Sequence, residues 1–363
     1  MRAEPTSEQP KPERVIIADS PQLVRATVLA TLIAFLTMGL LVWQNLEMRE
    51  QRKLFRAENE REAQDTEIVR RTELLATIYD CSQDEEGICQ PTAHLRAREE
   101  AVRAFAAIER GRGERANLYR TELEEANLYR ADLTGADLSR SNLRRSNLNR
   151  ANLSGVFLIG ANLSGAFFRQ ALLEGALLRG ADLSGADLRG VNLSNAELQK
   201  ANLSDTKIND ANLGRTDLQG AILQRAVLSG TDLENAELGY AMLTDGEFYF
   251  ANLRSANLSR ADLRDSTFRF ANLAEAELVA AKLNGANLSE VDFTSADLSH
   301  ADLSRADLSG ADLVDVNLSN TDLSAARNLT QDQINSAYGN AETKLPEGLT
   351  HPPHWLQEQE DQE

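Results

Sequence analysis

The feature that most constrains this chain is a period of five. From Ala116 to Ala325 the sequence runs in pentads without an insertion or a slip. The third position is Leu from Leu118 to Leu323, replaced only by Phe168, Ile208, Phe248, Phe268 and Phe293. The first position is always Ala, Ser, Thr, Val or Gly, and the second is mostly Asn, Asp or Glu. The pattern A-(D/N)-L-x-x stands plainly in Ala301, Asp302, Leu303, Ser304 and Arg305.

Neither common element accepts this period. An α-helix turns about 100° per residue, so a Leu every five residues would drift around every face. A flat strand has period 2, so the same spacing would send successive Leu side chains to opposite faces. All the Leu side chains share one interior only if the chain bends once per pentad. First and third positions then point inward together, with Ala small enough to sit beside Leu, and the second, fourth and fifth positions face solvent. Gly at the fifth position (Gly155, Gly160, Gly165, Gly175, Gly180, Gly185, Gly190) suits a corner.

These pentads resemble the pentapeptide-repeat family. The resemblance implies an all-β solenoid, a right-handed quadrilateral parallel β-helix with four pentads per coil. Phe168, Ile208, Phe248 and Phe268 agree with a coil of this length, because multiples of twenty separate them and place them in one interior column. Coils stacked at about 4.8 Å make a rod of about 50 Å over residues 115–325. Open ends of a β-helix template aggregation, so caps are expected. A helix over 92–109, with Leu95, Val102, Phe105 and Ile108 mostly on one side, suits the first end. In the 326–355 cap and tail, Thr330 and Gln333 form a capping box and Gly339 suits the helix stop.

Before the rod, residues 1–22 read as a disordered polar arm. Residues 23–46 include an uncharged apolar run, 26–43, with Arg25 and Trp43 at its edges, and read as a membrane-spanning helix. Residues 47–114 read as a charged helical linker, a loop over 80–91 and the cap helix. A bacterial inner-membrane, single-pass protein is expected. Arg49, Arg52, Lys53, Arg56 and Arg61 lean towards a cytoplasmic rod, whereas a Cys81–Cys89 disulfide would lean the other way. Residues 356–363 read as a loose acidic end.

A net charge of −18 argues against a direct grip on nucleic acid. No phosphate-binding Gly-rich loop or G-x-S-x-G occurs, so no catalytic residue, cofactor or small-molecule substrate is expected. His351 and His354 flank two prolines without a carboxylate or thiol to complete a metal site. Departures from the consensus say more. Phe157, Phe167, Leu172, Leu177, Ile222, Val227 and Met242 replace Asn or Asp at the outward second position, and Tyr240, Tyr249, Phe250 and Phe270 also point outward. Such groups mark a surface for another protein or a second copy, or a face that the N-terminal helices cover.

Charge is uneven: arginines crowd 116–150, while Asp292, Asp297, Asp302, Asp307 and Asp312 crowd the far end. Two functions follow. One is a non-enzymatic membrane-anchored scaffold. The other, implied by the resemblance because some family members act on DNA gyrase as acidic rods shaped like duplex DNA, is a DNA mimic that binds a type II topoisomerase.

Overall fold

A computed structural model describes residues 66–67, 69–75, 77–78, 81–83, 89–91 and 95–356. Residues 1–22, read as a polar arm, residues 23–46, read as a membrane-spanning helix, the first part of the segment read as a charged helical linker, and residues 357–363 lie outside the described residues. Among the described residues no helix is long and apolar enough to cross a membrane.

From Asn117 onward every second-position residue forms a parallel bridge with the residue twenty later, ending with Asp307 and Arg327. A coil is therefore four pentads with four flat faces. We number the faces by their first second-position residues: face 1 through Asn117, face 2 through Glu122, face 3 through Asn127 and face 4 through Asp132. Each face is one bridge wide rather than a run of strand, because a turn follows every third position. Edges run along the fifth positions, so Arg130 opens the edge between faces 3 and 4.

The backbone hydrogen bonds explain the period. On face 1, Leu118 N–H donates to Asp137 O at 2.7 Å, and Asp137 N–H donates back to Ala116 O at 2.8 Å. The fifth-position Arg120 N–H donates to Ser139 O at 3.1 Å, and Thr121 N–H closes a turn on Leu118 O at 3.3 Å. That turn needs a left-handed residue at its third place. Every fifth position from Arg120 to Asn320 has φ between 54° and 79°, whether or not it is glycine. The Gly at corners is thus a preference within a uniform geometry. Arg, Asp, Phe and Tyr occupy the same conformation at a cost of about 1–2 kcal/mol each.

The interior is filled by first and third positions, nearly all of them fully buried. Phe248 and Phe268 stack with ring centroids 4.3 Å apart. Gly246 makes room for them, since a Cβ there would lie 2.8 Å from Phe248 Cε2. Buried hydroxyls at first positions bond to carbonyls: Ser141 Oγ donates to Leu118 O at 2.9 Å and Thr321 Oγ1 to Leu298 O at 2.7 Å.

Helix α1 (Leu95–Gly111) buries Ala101, Val102, Phe105 and Ala106 in one cluster with the first coils. Ile78 is fully buried in the same cluster, with Leu74 and Leu75 packed against it. Residues 80–91, expected to be a loop, instead contain an antiparallel pair, β1 (Cys81–Gln83) and β2 (Cys89–Pro91). The pairing satisfies backbone groups that a loop would leave to water. Its register sets Cys81 opposite Pro91 and Gln83 opposite Cys89, so the two cysteines stand diagonally across the pair.

At the other end, α2 (Gln331–Ser336) starts at a reciprocal Thr330–Gln333 capping box and buries Ile334. It stops at Ala337 in an extended conformation, two residues before Gly339. Gly339, expected as the helix stop, serves the indole of Trp355 instead: a Cβ there would lie 2.6 Å from Trp355 Cε3.

Candidate interaction surface

The second-position Asn and Asp are explained by the turn that follows them. The fourth-position N–H points outward and has no partner in the next coil. Asp137 Oδ1 accepts it from Ser139 at 3.0 Å, Asn202 Oδ1 from Ser204 at 3.1 Å, and Asp322 Oδ1 from Ser324 at 3.0 Å. The short Asx side chain bonding two residues on is the favoured device for such a turn. In the turn Asn and Asp serve alike because Oδ1 alone accepts, while Asn Nδ2 can also donate to the acceptor one coil away, as Asn202 does to Asp182 Oδ1 at 3.1 Å. The ladder of carboxylates is structural capping, repeated with the fold.

An apolar residue at this position gives up that bond. Phe157, Phe167, Leu172, Leu177, Ile222, Val227 and Met242 all do so. In one case a neighbour substitutes: Arg169 N–H, which Phe167 cannot cap, donates to Asn149 Oδ1 in the adjacent coil at 2.7 Å. These seven residues are distributed over all four faces. Phe157 and Leu177 are bridge partners on face 1, with Leu172 on adjoining face 4, which makes one apolar corner. Arg115 covers part of it, its guanidinium 3.6 Å from the centroid of the Phe157 ring. Leu172 is 47% exposed. Phe167 and Val227 lie on face 3, three coils apart, while Ile222 and Met242 are bridge partners on face 2.

The aromatics at the edges form a separate group. Phe250 and Phe270 occupy neighbouring corners on the edge between faces 3 and 4, stacked at 5.0 Å, with 66% and 41% of their surface exposed. Tyr249 is exposed beside them. Tyr240 stands on the diagonally opposite edge, bonded to Arg260 through its hydroxyl at 3.1 Å. The left-handed backbone at Phe250 and Phe270 is the one that every fifth position shares, and their rings pack on each other and, at Phe270, against the Arg269 guanidinium 4.6 Å from the centroid. What sets them apart is the apolar surface they leave open.

The acidic residues form a belt and not a stripe. Asp292 and Asp312 lie on face 4, Asp297 on face 1, Asp302 on face 2 and Asp307 on face 3. Each accepts its own fourth-position N–H, from Thr294, Ser299, Ser304, Ser309 and Val314 in the order of the aspartates, at 2.8 to 3.1 Å. Asp307 also accepts from Asn328 Nδ2, and this bond leads the interactions that hold its carboxyl below the usual range.

The histidines act as staples. A ring nitrogen of His351 bonds Thr343 O at 2.7 Å and one of His354 bonds Ala337 O at 3.0 Å. No group of metal-binding side chains gathers among the described residues.

Sequence reasoning missed two features of this surface. One is a groove on the edge between faces 3 and 4, of about 600 Å³, walled by Arg150, Arg169 and Arg189. The signal was present, as arginines recur there at intervals close to one coil, but they become neighbours only through the coil. The other is the pair of half-buried Arg71 with buried Glu109 of α1, 2.6 Å apart.

The model of the family described as pentapeptide repeats matches residues 114–150, 176–215, 211–246, 247–285 and 286–324, with eight copies. The chain belongs to this family, whose fold is the right-handed quadrilateral β-helix. Residues 151–175, which the matches omit, hold Phe157, Phe167 and Leu172, and the bridges run through them unbroken. The chain is similar to HetL, a pentapeptide repeat protein involved in heterocyst differentiation regulation in the cyanobacterium Nostoc sp. strain PCC 7120 (35% identity over 58% of this chain and 94% of that one, TM-score 0.35). It is also similar to QnrB1, a plasmid-mediated fluoroquinolone resistance protein (22% identity, 54% and 89%, TM-score 0.28). A third similar structure is a pentapeptide repeat protein of the Arabidopsis thaliana thylakoid lumen (26% identity, 34% and 68%, TM-score 0.18). A search of curated sequences gave no match. The family match indicates no enzyme.

Proposed function

We propose that this protein is a non-enzymatic scaffold: a rigid rod, anchored in a bacterial inner membrane through residues 23–46, that presents its outer surface to another protein. The observation that carries this reading is the set of exposed and half-buried apolar residues at outward positions where the repeat is otherwise polar or Gly. The rod loses turn bonds at Phe157, Leu172 and Leu177 and leaves the rings of Phe250 and Phe270 open to solvent, and a binding surface accounts for both. The uncharged run between Arg25 and Trp43 supports the anchor. The basic residues that follow it favour a cytoplasmic rod.

Replacing Phe157, Leu172 and Leu177 together by Asn would restore the turn bonds while removing the apolar corner. The expected outcome is a rod that melts no lower and no longer co-purifies with its partner. Unchanged co-purification would refute this corner as the binding surface. Protease protection of a C-terminal tag in spheroplasts tests the topology. Cleavage only after the membrane is opened is expected. Cleavage in intact spheroplasts would move the rod outside and make a Cys81–Cys89 disulfide the expected state.

A second reading, an acidic DNA mimic directed at a topoisomerase, is favoured by the belt of aspartates on all four faces of the last coils. Its test is neutralisation of Asp302, Asp307 and Asp312 to Asn, which keeps the Oδ1 acceptor and removes only charge. Salt-sensitive competition with DNA that survives this change would exclude it.

A further inference from the structure

We propose that the edge between faces 3 and 4 binds a second copy of this chain, antiparallel, about a two-fold axis at Asp210. From the first coils to the last, this edge reads Arg130, Arg150, Gln170, Gly190, Asp210, Gly230, Phe250, Phe270, Glu290 and Gly310, and the nine from Arg130 to Glu290 are symmetric about Asp210. Adjacent members touch along the rod. Arg150 Nε donates to Gln170 Oε1 at 3.0 Å, a Cβ on Gly230 would meet Asp210 Oδ1 at 2.7 Å, and Phe250 and Phe270 stack. An isologous interface needs a surface complementary to itself after rotation. Turned about Asp210, this one is. Glu290 falls on Arg130, Phe270 on Arg150 and Phe250 on Gln170, while Gly230, over which the Asp210 carboxylate lies, faces Gly190. A parallel pairing would set Arg130 on Arg130 and Glu290 on Glu290.

Shape and chemistry agree with the register. The groove beside Gly190 is concave, and the Phe250–Phe270 stack projects. The groove is also preorganised. Asp187, only 8% exposed, accepts from Arg169 Nε at 2.7 Å and from Arg189 Nε and Nη2 at 2.8 and 2.7 Å, which fixes both guanidinium groups. Arg150 meets only neutral partners, Gln170 and the Tyr129 hydroxyl. The register sets Arg169 level with Tyr249, and arginine on the face of an aromatic ring is a favourable contact. Like charges meet at Asp210 with its own copy at the axis, and Arg269, against Phe270, comes level with Asn149 beside Arg150. This pairing does not depend on the membrane anchor.

The test uses the full chain with Cys81 and Cys89 changed to Ser. Asp210→Cys, at the axis, is expected to cross-link to itself, while Gly190→Cys is not. In light scattering across a concentration series, Phe270→Ala weakens the dimer at least tenfold. Arg130→Glu and Glu290→Arg each weaken it, and the two together restore it. Asp210→Asn tightens it several-fold by removing the repulsion. A monomer at all concentrations, self-cross-linking of Gly190→Cys, or a dimer indifferent to Phe270→Ala would overturn the proposal.

Discussion

The two ends of the rod solve the same problem differently. At the first coil the edge meets side chains: Glu99 of α1 accepts from Asn127 N–H, Arg103 donates to Asn127 O, and Arg110 donates to Asp132 O at 3.0 Å. At the last coil the edge meets more backbone. Tyr338 bridges to Asn317 and Lys344 to Asp322, so the chain lays down part of another coil before Trp355 covers it. Charged side chains cap one end and an extension of the ladder caps the other. Both satisfy backbone groups that would otherwise be open to another strand. The difference teaches that the fold needs an ending, and that the ending need not resemble the repeat.

Coils of a solenoid contact only their neighbours, so each cap should protect its own end first. The strongest way to break the comparison is Trp355→Ala. Trp355 is 4% exposed and its Nε1 donates to Ala337 O at 2.8 Å, so its loss is expected to cost ~3–5 kcal/mol. Hydrogen exchange should quicken in the last coils while the first coils stay protected. Equal quickening at both ends would show that the rod melts as one unit. Next is Glu109→Ala at the other end. The Glu109 side chain is 3% exposed and pairs with Arg71, so removing it leaves the half-buried guanidinium with only the exposed Glu114 carboxylate 3.7 Å away and is expected to cost about 3 kcal/mol. The same exchange measurement should then show the mirror pattern.

Gly339→Ala is expected to cost about 2 kcal/mol, through a Cβ forced against the Trp355 ring. A thermal melt that does not move would show that the indole can shift aside. The smallest effect sharpens the contrast by pH. The Asp322 carboxyl is held down to about 2, first by the Ser324 hydroxyl and then by Lys344, whose Nζ is 2.9 Å away. Its folded value lies below the ordinary one near 3.9. The stability it adds is therefore fully present above about pH 4 and fades as pH falls towards 2. Asp322→Asn should remove that part of the acid sensitivity from the C-terminal end, seen as denaturant midpoints at pH 5 and pH 3 that draw closer together.

Both cap helices were legible, the first at 92–109 against the observed Leu95–Gly111, but the bonds by which the N-terminal helix closes its end were not, for a physical reason. A capping box is a local device spanning Thr330 to Gln333, so its spacing appears in the sequence. The bonds from Glu99, Arg103 and Arg110 reach residues twenty or more positions away, and nothing in their spacing announces the partner. Gly339 shows how a correct residue was given the wrong reason. Its neighbour is a tryptophan sixteen positions later, and no helix-stop rule contains that contact. The candidate surface divides in the same way. That Phe157 and Leu177 share a column follows from the period. The groove of Arg150, Arg169 and Arg189 needed the fourth and fifth positions of a face to be set side by side.

The period of five by itself determined the interior and a bend in every pentad; four faces to a coil is what the resemblance to the pentapeptide-repeat family implied, and the twenty-residue spacing of Phe168, Ile208, Phe248 and Phe268 agreed with it. Only a chain that bends every fifth residue keeps each Leu inside, and this requirement is local and repeats without change. What the tertiary structure decided was everything that depends on stacking: the Asx bonds that make the acidic ladder structural, the left-handed conformation at corners of every residue type, and the edge that joins a basic groove to an aromatic stack. Those properties arise between residues about twenty apart, where a one-dimensional pattern shows recurrence but not contact.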